Sequence, residues 1–332
     1  MGITRRTLLT AGTVLVLASG AHADTIQWDM PNEYGATSLP AEADRLFAER
    51  VNEKSGGKLV ITNHFGGALG YKSRDHWSAV EDGAVPIAST YTGVFSGIDP
   101  IFELQSLPFV ATNPKESKAL LDAMRPWLET AFAKGGQMYL LGAPWTPVGI
   151  WAQKKITDAE GLRNLKIRSY DKTGTLTLKN AGAAAIQLSW ADVVPALSTG
   201  TIEAVLTSDE GGLSAKFHEY MDHFHHVGFT MGTNMIHVSQ AAFDDLSPEL
   251  QQAVLDAAAE VEAEAWANIN DRIALNVKRM DENGVTSVTD VPAAFIEHLR
   301  TSGEPVTAAW REKFGDEEAA KIFARYDEIR AQ

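Results

Sequence analysis

One arginine, Arg168, has the residue type and the position to bind a carboxylate. It comes near the end of an apolar-basic segment, residues 165–170, that follows a short loop beginning at Gly161. A guanidinium presents a planar pair of N–H donors that match the two oxygens of a carboxylate. Most arginines at strand ends are solvated, so the residue alone does not establish a site. The surrounding elements have to place it in a cleft.

The chain alternates predicted strands and helices on both sides of this arginine. The hydrophobic periodicity predicts strands over 25–30, 58–64, 85–90, 137–141, 165–170 and 202–208, and helices over 41–54, 73–82, 117–134, 173–180 and 190–198. The helix over 117–134 is expected to bend or break at Pro126. Such alternation predicts α/β lobes with a largely parallel sheet. Ligands bind beyond the carboxyl ends of such strands, where Arg168 and Thr207 lie.

One predicted helix is too long for a single lobe. Ser247-Pro248 is a strong helix start, and neither proline nor glycine follows until Gly284. The helix would be roughly 50 Å long, whereas a small lobe is about 30 Å across. We therefore expect it to span two lobes or to bend between them. Two shorter helices with a break near 268–270 are the alternative.

The first 23 residues have the pattern of an export signal. Arg5 and Arg6 precede an apolar run, and Ala21-His22-Ala23 supplies a cleavage site. The arginine pair fits the twin-arginine route, and an ordinary Sec signal fits equally well. The apolar run is too short to span a bilayer, which takes about 20 residues. We expect cleavage after about Ala23 and a periplasmic location.

Charge and cysteine content exclude several classes of partner. The chain has 29 basic and 43 acidic residues; two basic and no acidic residues fall in the signal, so its removal changes the net charge from −14 to −16. Such a charge argues against nucleic acid or anionic lipid as a partner, and no direct membrane insertion is expected. Cysteine is absent, so an oxidising compartment imposes no disulfide framework.

Some residues also suggest catalysis. His223 and His225 share one face of a strand and could form a zinc pair, but no third ligand has a useful spacing. His218 and His223 fail the zinc-protease motif, whose second histidine comes four residues after the first. Asp209 and Glu210, with Glu203, could be paired acids for hydrolysis. We expect no metal, no cofactor and no enzymatic activity, and we keep a periplasmic hydrolase as the alternative.

Taken together, several segments resemble the DctP-type solute-binding proteins of tripartite ATP-independent periplasmic (TRAP) transporters. Their order and spacing carry the resemblance more than any one motif does. They are residues 47–58, 66–70, 107–109, 161–168, 181–183, 192–204 and the long helix.

The resemblance implies an α/β fold of two lobes with a ligand cleft between them. The first lobe would contain residues 24–146 and about 232–270, and the second residues 147–231 and about 271–332. The cleft would close on a small organic acid, which is then delivered to the membrane subunits of a sodium-coupled TRAP permease.

The resemblance also assigns residues to the site. Arg168 occupies the place of the arginine that clamps the ligand carboxylate, Trp190 that of an aromatic residue on the ligand, and Thr207 with Ser208 that of a polar contact. The first lobe would add candidates by position alone, namely Glu33, Tyr34, Ser89 and Tyr91.

The sequence departs from the family pattern in a way that bears on the ligand. Many members have a second cationic residue about twenty positions before the arginine, but residues 144–151 contain no Arg or Lys. Trp145 lies there instead and would extend an aromatic cleft formed with Trp190, Tyr34 and Tyr91. We therefore expect a monocarboxylate with an apolar or aromatic body.

Overall fold

The computed structural model describes residues 25–332 of the chain. The predicted signal peptide, residues 1–23, lies outside the described residues. Among those that are described, no helix is both long enough and apolar enough to cross a membrane.

The chain begins in the first lobe and then crosses to the second. The first lobe opens with β1 (Ile26–Pro31), α1 (Leu39–Lys54), β2 (Leu59–His64), α2 (His76–Glu81), β3 (Ile87–Tyr91), α3 (Pro114–Lys134) and β4 (Gln137–Pro144). The second lobe contains β5 (Val148–Ala152), α4 (Ala159–Leu162), β6 (Lys166–Ser169), α5 (Lys172–Asn180), β7 (Ala184–Gln187), α6 (Val193–Ser198), β8 (Ala204–Ser208), α7 (Asp209–Ser214) and β9 (His223–His225). Short 3₁₀ turns cover Ser73–Asp75, Thr92–Phe95, Pro100–Ser106, Trp190–Asp192 and Phe217–Glu219.

The chain then returns to the first lobe with β10 (Thr233–Ser239) and α8 (Gln240–Asp244). The remaining elements contribute to both lobes and are α9 (Pro248–Glu282), β11 (Thr286–Val288), α10 (Ala293–Phe314) and α11 (Asp316–Arg330). The sequence predicted a bend or a break at Pro126; helix α3 is continuous through this residue, so it does not break there.

The sheets are mixed, whereas the sequence predicted a largely parallel sheet. In the first lobe β1 and β2 form a parallel pair, and β10 lies antiparallel between β3 and β4. The second-lobe sheet has the order β11-β9-β5-β8-β6-β7, with β5 antiparallel to both of its neighbours. Strands β5 and β10 enter directly from the other lobe, without a crossover helix. They therefore start at the cleft edge, where the parallel strands end, and run the opposite way.

The long helix α9 is one element of 35 residues that packs in both lobes, as the sequence predicted. Leu250, Val254 and Val261 join the core around β1, α1 and β4. Met280 belongs to the second-lobe core with Trp151. Ser247 caps the helix through its side chain, and the proline that follows it supplies the fixed φ of the first turn. The alternative break near 268–270 is therefore wrong.

The two C-terminal helices differ from the predicted division, which assigned residues 271–332 to the second lobe. Helix α10 spans both lobes, because Phe295 lies in the second-lobe core and Trp310 in that of the first. Helix α11 buries Ile322 and Tyr326 in the core around α3. A helix of 22 residues is about 33 Å long, which is enough to carry the chain back across.

Candidate functional site

A cavity between the lobes, which we call the inner cavity, is lined by most of the residues that the sequence singled out. Seven of the nine predicted site residues line it: Tyr34, Tyr91, Trp145, Arg168, Trp190, Thr207 and Ser208. Val148, Tyr170 and Gly232 complete the lining. The other two predicted residues, Glu33 and Ser89, do not line this cavity, and their positions are described below.

Strand ends place these side chains at one edge of the two sheets. Tyr91 ends β3, Trp145 directly follows β4, and Thr207 and Ser208 end β8. Arg168 lies in β6 and Tyr170 directly after it. The carboxyl ends of β3, β4, β6 and β8 therefore meet at the cleft, as expected for open α/β sheets.

Arg168 is a buried cation with one unpaired nitrogen. Its side chain is only 3% exposed, and Nε and Nη2 both donate to the carbonyl oxygen of Leu188, at 3.0 and 2.8 Å. Nη1 is buried without a hydrogen-bond partner, and none of the salt bridges within residues 25–332 includes this guanidinium. Burial lowers the pKa of Arg168, opposed by the nearby Tyr34 and Glu33. The site thus contains a donor and a positive charge that an anion would satisfy.

Aromatic rings surround this guanidinium. The ring of Trp190 lies 5.6 Å from the guanidinium carbon, within the range of a cation–π contact. The ring of Tyr34 packs against those of Trp145 and Trp190, with centroids 4.8 and 5.4 Å apart. Burial raises the pKa of Tyr34 well above its usual value, and the charge of Glu33 adds to this effect. The Tyr34 hydroxyl therefore stays neutral, and the cavity combines one cation with apolar walls.

Two further groups near Arg168 are also buried without partners. In the part of the chain that the structure describes, the hydroxyl of Tyr170 has no hydrogen-bond partner, and neither does Oδ2 of Asp171. Asp171 uses Oδ1 to cap α5, accepting from Gly174 N at 2.9 Å. Burial raises the pKa of Asp171 to about 6. Sequence reasoning missed Tyr170, although side chains two residues apart share one face of a strand and Arg168 was already chosen.

Ser89 lies behind the aromatic wall rather than at the cavity. Its Oγ accepts from Asn234 Nδ2 at 2.8 Å, and Asn234 Oδ1 accepts from Trp145 Nε1 at 3.3 Å. Asn32 extends this hydrogen-bond network to Asp44, because Asn32 Nδ2 donates to Asp44 Oδ2 at 2.6 Å. The predicted contact of Ser89 with a ligand thus becomes support for the Trp145 ring.

Glu33 lies beside the cavity, with both oxygens already bonded. Oε2 accepts from Ser73 N at 2.9 Å, and Oε1 accepts from Ala191 N at 3.0 Å across the lobes. It lines an adjoining outer cavity with Arg74, Arg168 and further residues. Arg74 was not singled out from the sequence, since it lies far from residues 144–151. Its side chain is 67% exposed, so it is a cation of the cleft mouth.

Thr207 and Ser208 differ in their availability. Thr207 lines the cavity, whereas Ser208 Oγ accepts from Gly211 N at 3.0 Å and caps α7. Gly232 keeps the opposite wall close, because a Cβ there would lie 2.6 Å from the Tyr91 hydroxyl. Any larger residue at position 232 would displace the Tyr91 ring.

Three of the residues that suggested catalysis, His225, Asp209 and Glu210, have structural partners. Both ring nitrogens of His225 are used, by Ile150 O at 2.9 Å and Ile156 N at 2.8 Å. Residues 25–332 contain no group of three or more side chains that could hold a metal ion. Asp209 accepts from Asn276 Nδ2, and Glu210 pairs with Arg279 on α9, away from the cavity.

Comparisons with known proteins agree with this architecture. The model of bacterial extracellular solute-binding protein family 7, DctP, matches residues 33–313. A solved structure of DctP6 from Bordetella pertussis, an extracytoplasmic solute receptor binding pyroglutamic acid, is 30% identical over 92% of this chain and 100% of its own, with a TM-score of 0.86. A TRAP solute-binding protein from an unidentified marine microbe, specific for pyroglutamate, is 27% identical over 93% of this chain and 100% of its own, also with a TM-score of 0.86. YiaO, the 2,3-diketo-L-gulonate-binding periplasmic protein of Escherichia coli, is 25% identical over 86% of this chain and 87% of its own.

Two lobes of mixed α/β structure around a cleft define the class of two-lobed solute-binding proteins. The chain belongs to extracellular solute-binding protein family 7, the DctP family, as the sequence predicted. Of the two structural neighbours, DctP6 is an extracytoplasmic solute receptor and the marine protein is a TRAP solute-binding protein.

Proposed function

We propose that this protein is a periplasmic receptor for a small cyclic monocarboxylate of the pyroglutamate type. Under this proposal it is exported by its signal peptide, closes on the acid and delivers it to the membrane subunits of a sodium-coupled TRAP permease. Two similar receptors, at 30% and 27% identity, bind pyroglutamate, which supports this choice of ligand class.

The observation that carries the proposal is the state of Arg168. A buried guanidinium with an unpaired Nη1 is costly to the protein, because a buried charge needs a partner of opposite sign. A ligand carboxylate would supply both the charge and the hydrogen-bond acceptor. The resulting charged hydrogen bond would be strong in a site shielded from water.

The rest of the inner cavity favours one carboxylate over two. Arg168 is the only Lys or Arg among the residues that line it, and three aromatic rings from the first lobe face it. A second carboxylate in the inner cavity would be desolvated without a cation. Under this proposal a five-membered lactam ring would pack against the aromatic walls, and its N–H and C=O would bond to polar groups such as Thr207 and Tyr170.

A calorimetric titration of the mature protein with four matched compounds tests the proposal. Pyroglutamate should bind saturably. In urea denaturation, pyroglutamate at a free concentration of 100 times its Kd should raise the free energy of unfolding by about 2.7 kcal/mol. 2-Pyrrolidinone keeps the ring but lacks the carboxylate and should not bind. Glutamate and galactonate, which are open-chain, should bind at least about 100-fold more weakly, which is roughly 2.7 kcal/mol.

Two results would contradict the proposal. Equal affinity for 2-pyrrolidinone and pyroglutamate would remove the role of the carboxylate. Turnover of a chromogenic ester panel by the purified protein would favour the hydrolase alternative instead.

A further inference from the structure

A five-residue segment of the second lobe, Leu188–Asp192, contacts the arginine of the site. We call it the latch segment. Its first residue provides the carbonyl oxygen that accepts from Nε and Nη2 of Arg168. Its Trp190 ring faces the same guanidinium at 5.6 Å. The position of this segment therefore determines how Arg168 is held.

The other side of the latch segment contacts the first lobe. The backbone N–H of Ala191 donates to Glu33 Oε1 at 3.0 Å. Lys72 Nζ donates to Asp192 Oδ2 and Oδ1 at 2.6 and 2.9 Å. Both contacts join groups more than 100 residues apart in the chain and in different lobes. They can form only when the lobes are together.

Glu33 is the stronger of the two contacts. It is 4% exposed, and its second oxygen accepts from Ser73 N at 2.9 Å, so one carboxylate holds a backbone N–H from each lobe. Such charge-assisted bonds are about twice as strong as neutral ones. The Lys72–Asp192 pair is about one-third to one-half exposed, so solvent screens it.

We propose that Glu33 and Lys72 are positioning residues that latch the closed cleft by holding the segment Leu188–Asp192. This inference rests on the proposed function, because closure is assumed to retain the ligand. Neither residue lines the inner cavity, and both act on the ligand through Trp190 and Arg168. Their loss should therefore speed ligand release and leave ligand capture nearly unchanged.

Two variants and two matched controls test the latch. Glu33→Gln keeps the shape but places an NH2 group against one of two N–H donors, and Lys72→Met removes the ammonium. Glu116→Gln is the control for the first variant, because Glu116 also accepts a backbone N–H, from Thr112, within the first lobe. Lys118→Met is the control for the second, since Lys118 pairs with Asp122 inside α3.

The first readout is the rate of pyroglutamate binding and release, followed by tryptophan fluorescence in stopped flow. Glu33→Gln should raise the release rate about 10- to 100-fold, the equivalent of losing a charged hydrogen bond. Lys72→Met should raise it about two- to fivefold. Association rates should stay within about twofold of those of the controls. A release rate for Glu33→Gln equal to that of Glu116→Gln would overturn the latch.

The second readout does not depend on ligand binding. Amide hydrogen exchange of Ala191 and Ser73 is measured with and without pyroglutamate in the wild type, Glu33→Gln and Glu116→Gln. Faster exchange at both amides in Glu33→Gln, in either condition, supports the latch. Equal exchange in the wild type and Glu33→Gln in both conditions overturns it. If the wild type fails to bind pyroglutamate, the proposed ligand is wrong, and the exchange comparison still decides the latch.

Discussion

Arginines lie on two sides of the contact between the lobes, one fully buried and two partly buried, and their partners differ. In the cleft, Arg168 is 3% exposed and makes no ion pair with any residue from 25 to 332. Along α9, which packs in both lobes and whose surroundings we call the hinge side, Arg272 pairs with Glu42 of the first lobe and lies 3.5 Å from Glu210 of the second. Arg279 pairs with the same fully buried Glu210 at 3.2 Å. The hinge cations are neutralised by the protein, whereas the cleft cation is not.

This difference separates a structural charge from a binding charge. An ion pair formed within the protein favours one arrangement of the lobes, and its cations already have partners of opposite charge. A buried cation without a partner costs the protein stability, and an anion from outside can recover that cost. The same residue type therefore has opposite roles on the two faces, and each role predicts a different response to mutation.

Replacement of Arg168 should have the largest effect on binding. Removing one member of a desolvated charge pair costs about 2–5 kcal/mol, so Arg168→Met should weaken pyroglutamate binding by roughly 30-fold to several thousandfold. The free energy of unfolding without ligand should not fall, because the change removes an unpaired buried charge. Calorimetry and urea denaturation measure the two quantities. Binding within about tenfold of wild type would contradict the assignment.

Replacement of Glu210 should show the opposite pattern. Glu210→Gln leaves Arg272 and Arg279 without their buried partner, and the free energy of unfolding should fall by about 1–3 kcal/mol. Urea denaturation checks this value, with Glu53→Gln as a control because Glu53 pairs with Arg50 on the surface. The control should change stability by less than about 0.5 kcal/mol. Loss of binding without loss of stability in Glu210→Gln would erase the contrast between the two sites.

The hinge side should also respond to pH through Asp209. Burial raises the pKa of Asp209 from 3.8 to about 6, although hydrogen bonds from Thr146 and Asn276 oppose the shift. The folded state then binds this proton more tightly than the unfolded chain does. The associated stability is fully present below pH 3.8 and is lost as the pH rises through about 6.

Comparison with Asp209→Asn isolates this contribution. The free energy of unfolding of the wild type minus that of Asp209→Asn should decrease between pH 4 and pH 8, by on the order of 1–3 kcal/mol. Urea denaturation at each pH measures the difference. A difference that rises over this range would show that Asp209 is stabilised in its charged form.

The cation at the cleft mouth should have the smallest effect. Arg74 is largely exposed beside Arg168, in a chain whose net charge repels anions. Arg74→Ala should lower the association rate of pyroglutamate by less than about fivefold, and added salt should reduce the difference. Stopped flow at two ionic strengths measures it. A loss of pyroglutamate affinity in Arg74→Ala as large as that in Arg168→Met would mean that Arg74 also binds the carboxylate directly.

The sequence predicted the cleft better than it predicted the lobes. Arg168 and Thr207 were predicted near the carboxyl ends of strands, where ligands bind, and both line the cavity. This prediction succeeded because the position of a residue within a strand can be read from the local sequence pattern. Glu33 was predicted as a ligand contact, but its partners are backbone N–H groups 40 and 158 residues away, which no local pattern reveals. The antiparallel β5 and β10 were missed for a similar reason. Their direction depends on where the chain re-enters each lobe rather than on their own residues.

The C-terminal helices show the same limit. A capped run without glycine or proline made the length of α9 predictable. Helix α10 contains Pro305 and continues through it, and its two ends join different cores. Its path is determined by tertiary packing, which overrides the local signal.

A crystal structure of the protein with pyroglutamate tests the central claim most directly. The account predicts a carboxylate oxygen within about 3.2 Å of Arg168 Nη1, with the lactam ring between the aromatic side chains. A carboxylate bound elsewhere, with Nη1 still unpaired or bonded only to water, would contradict it.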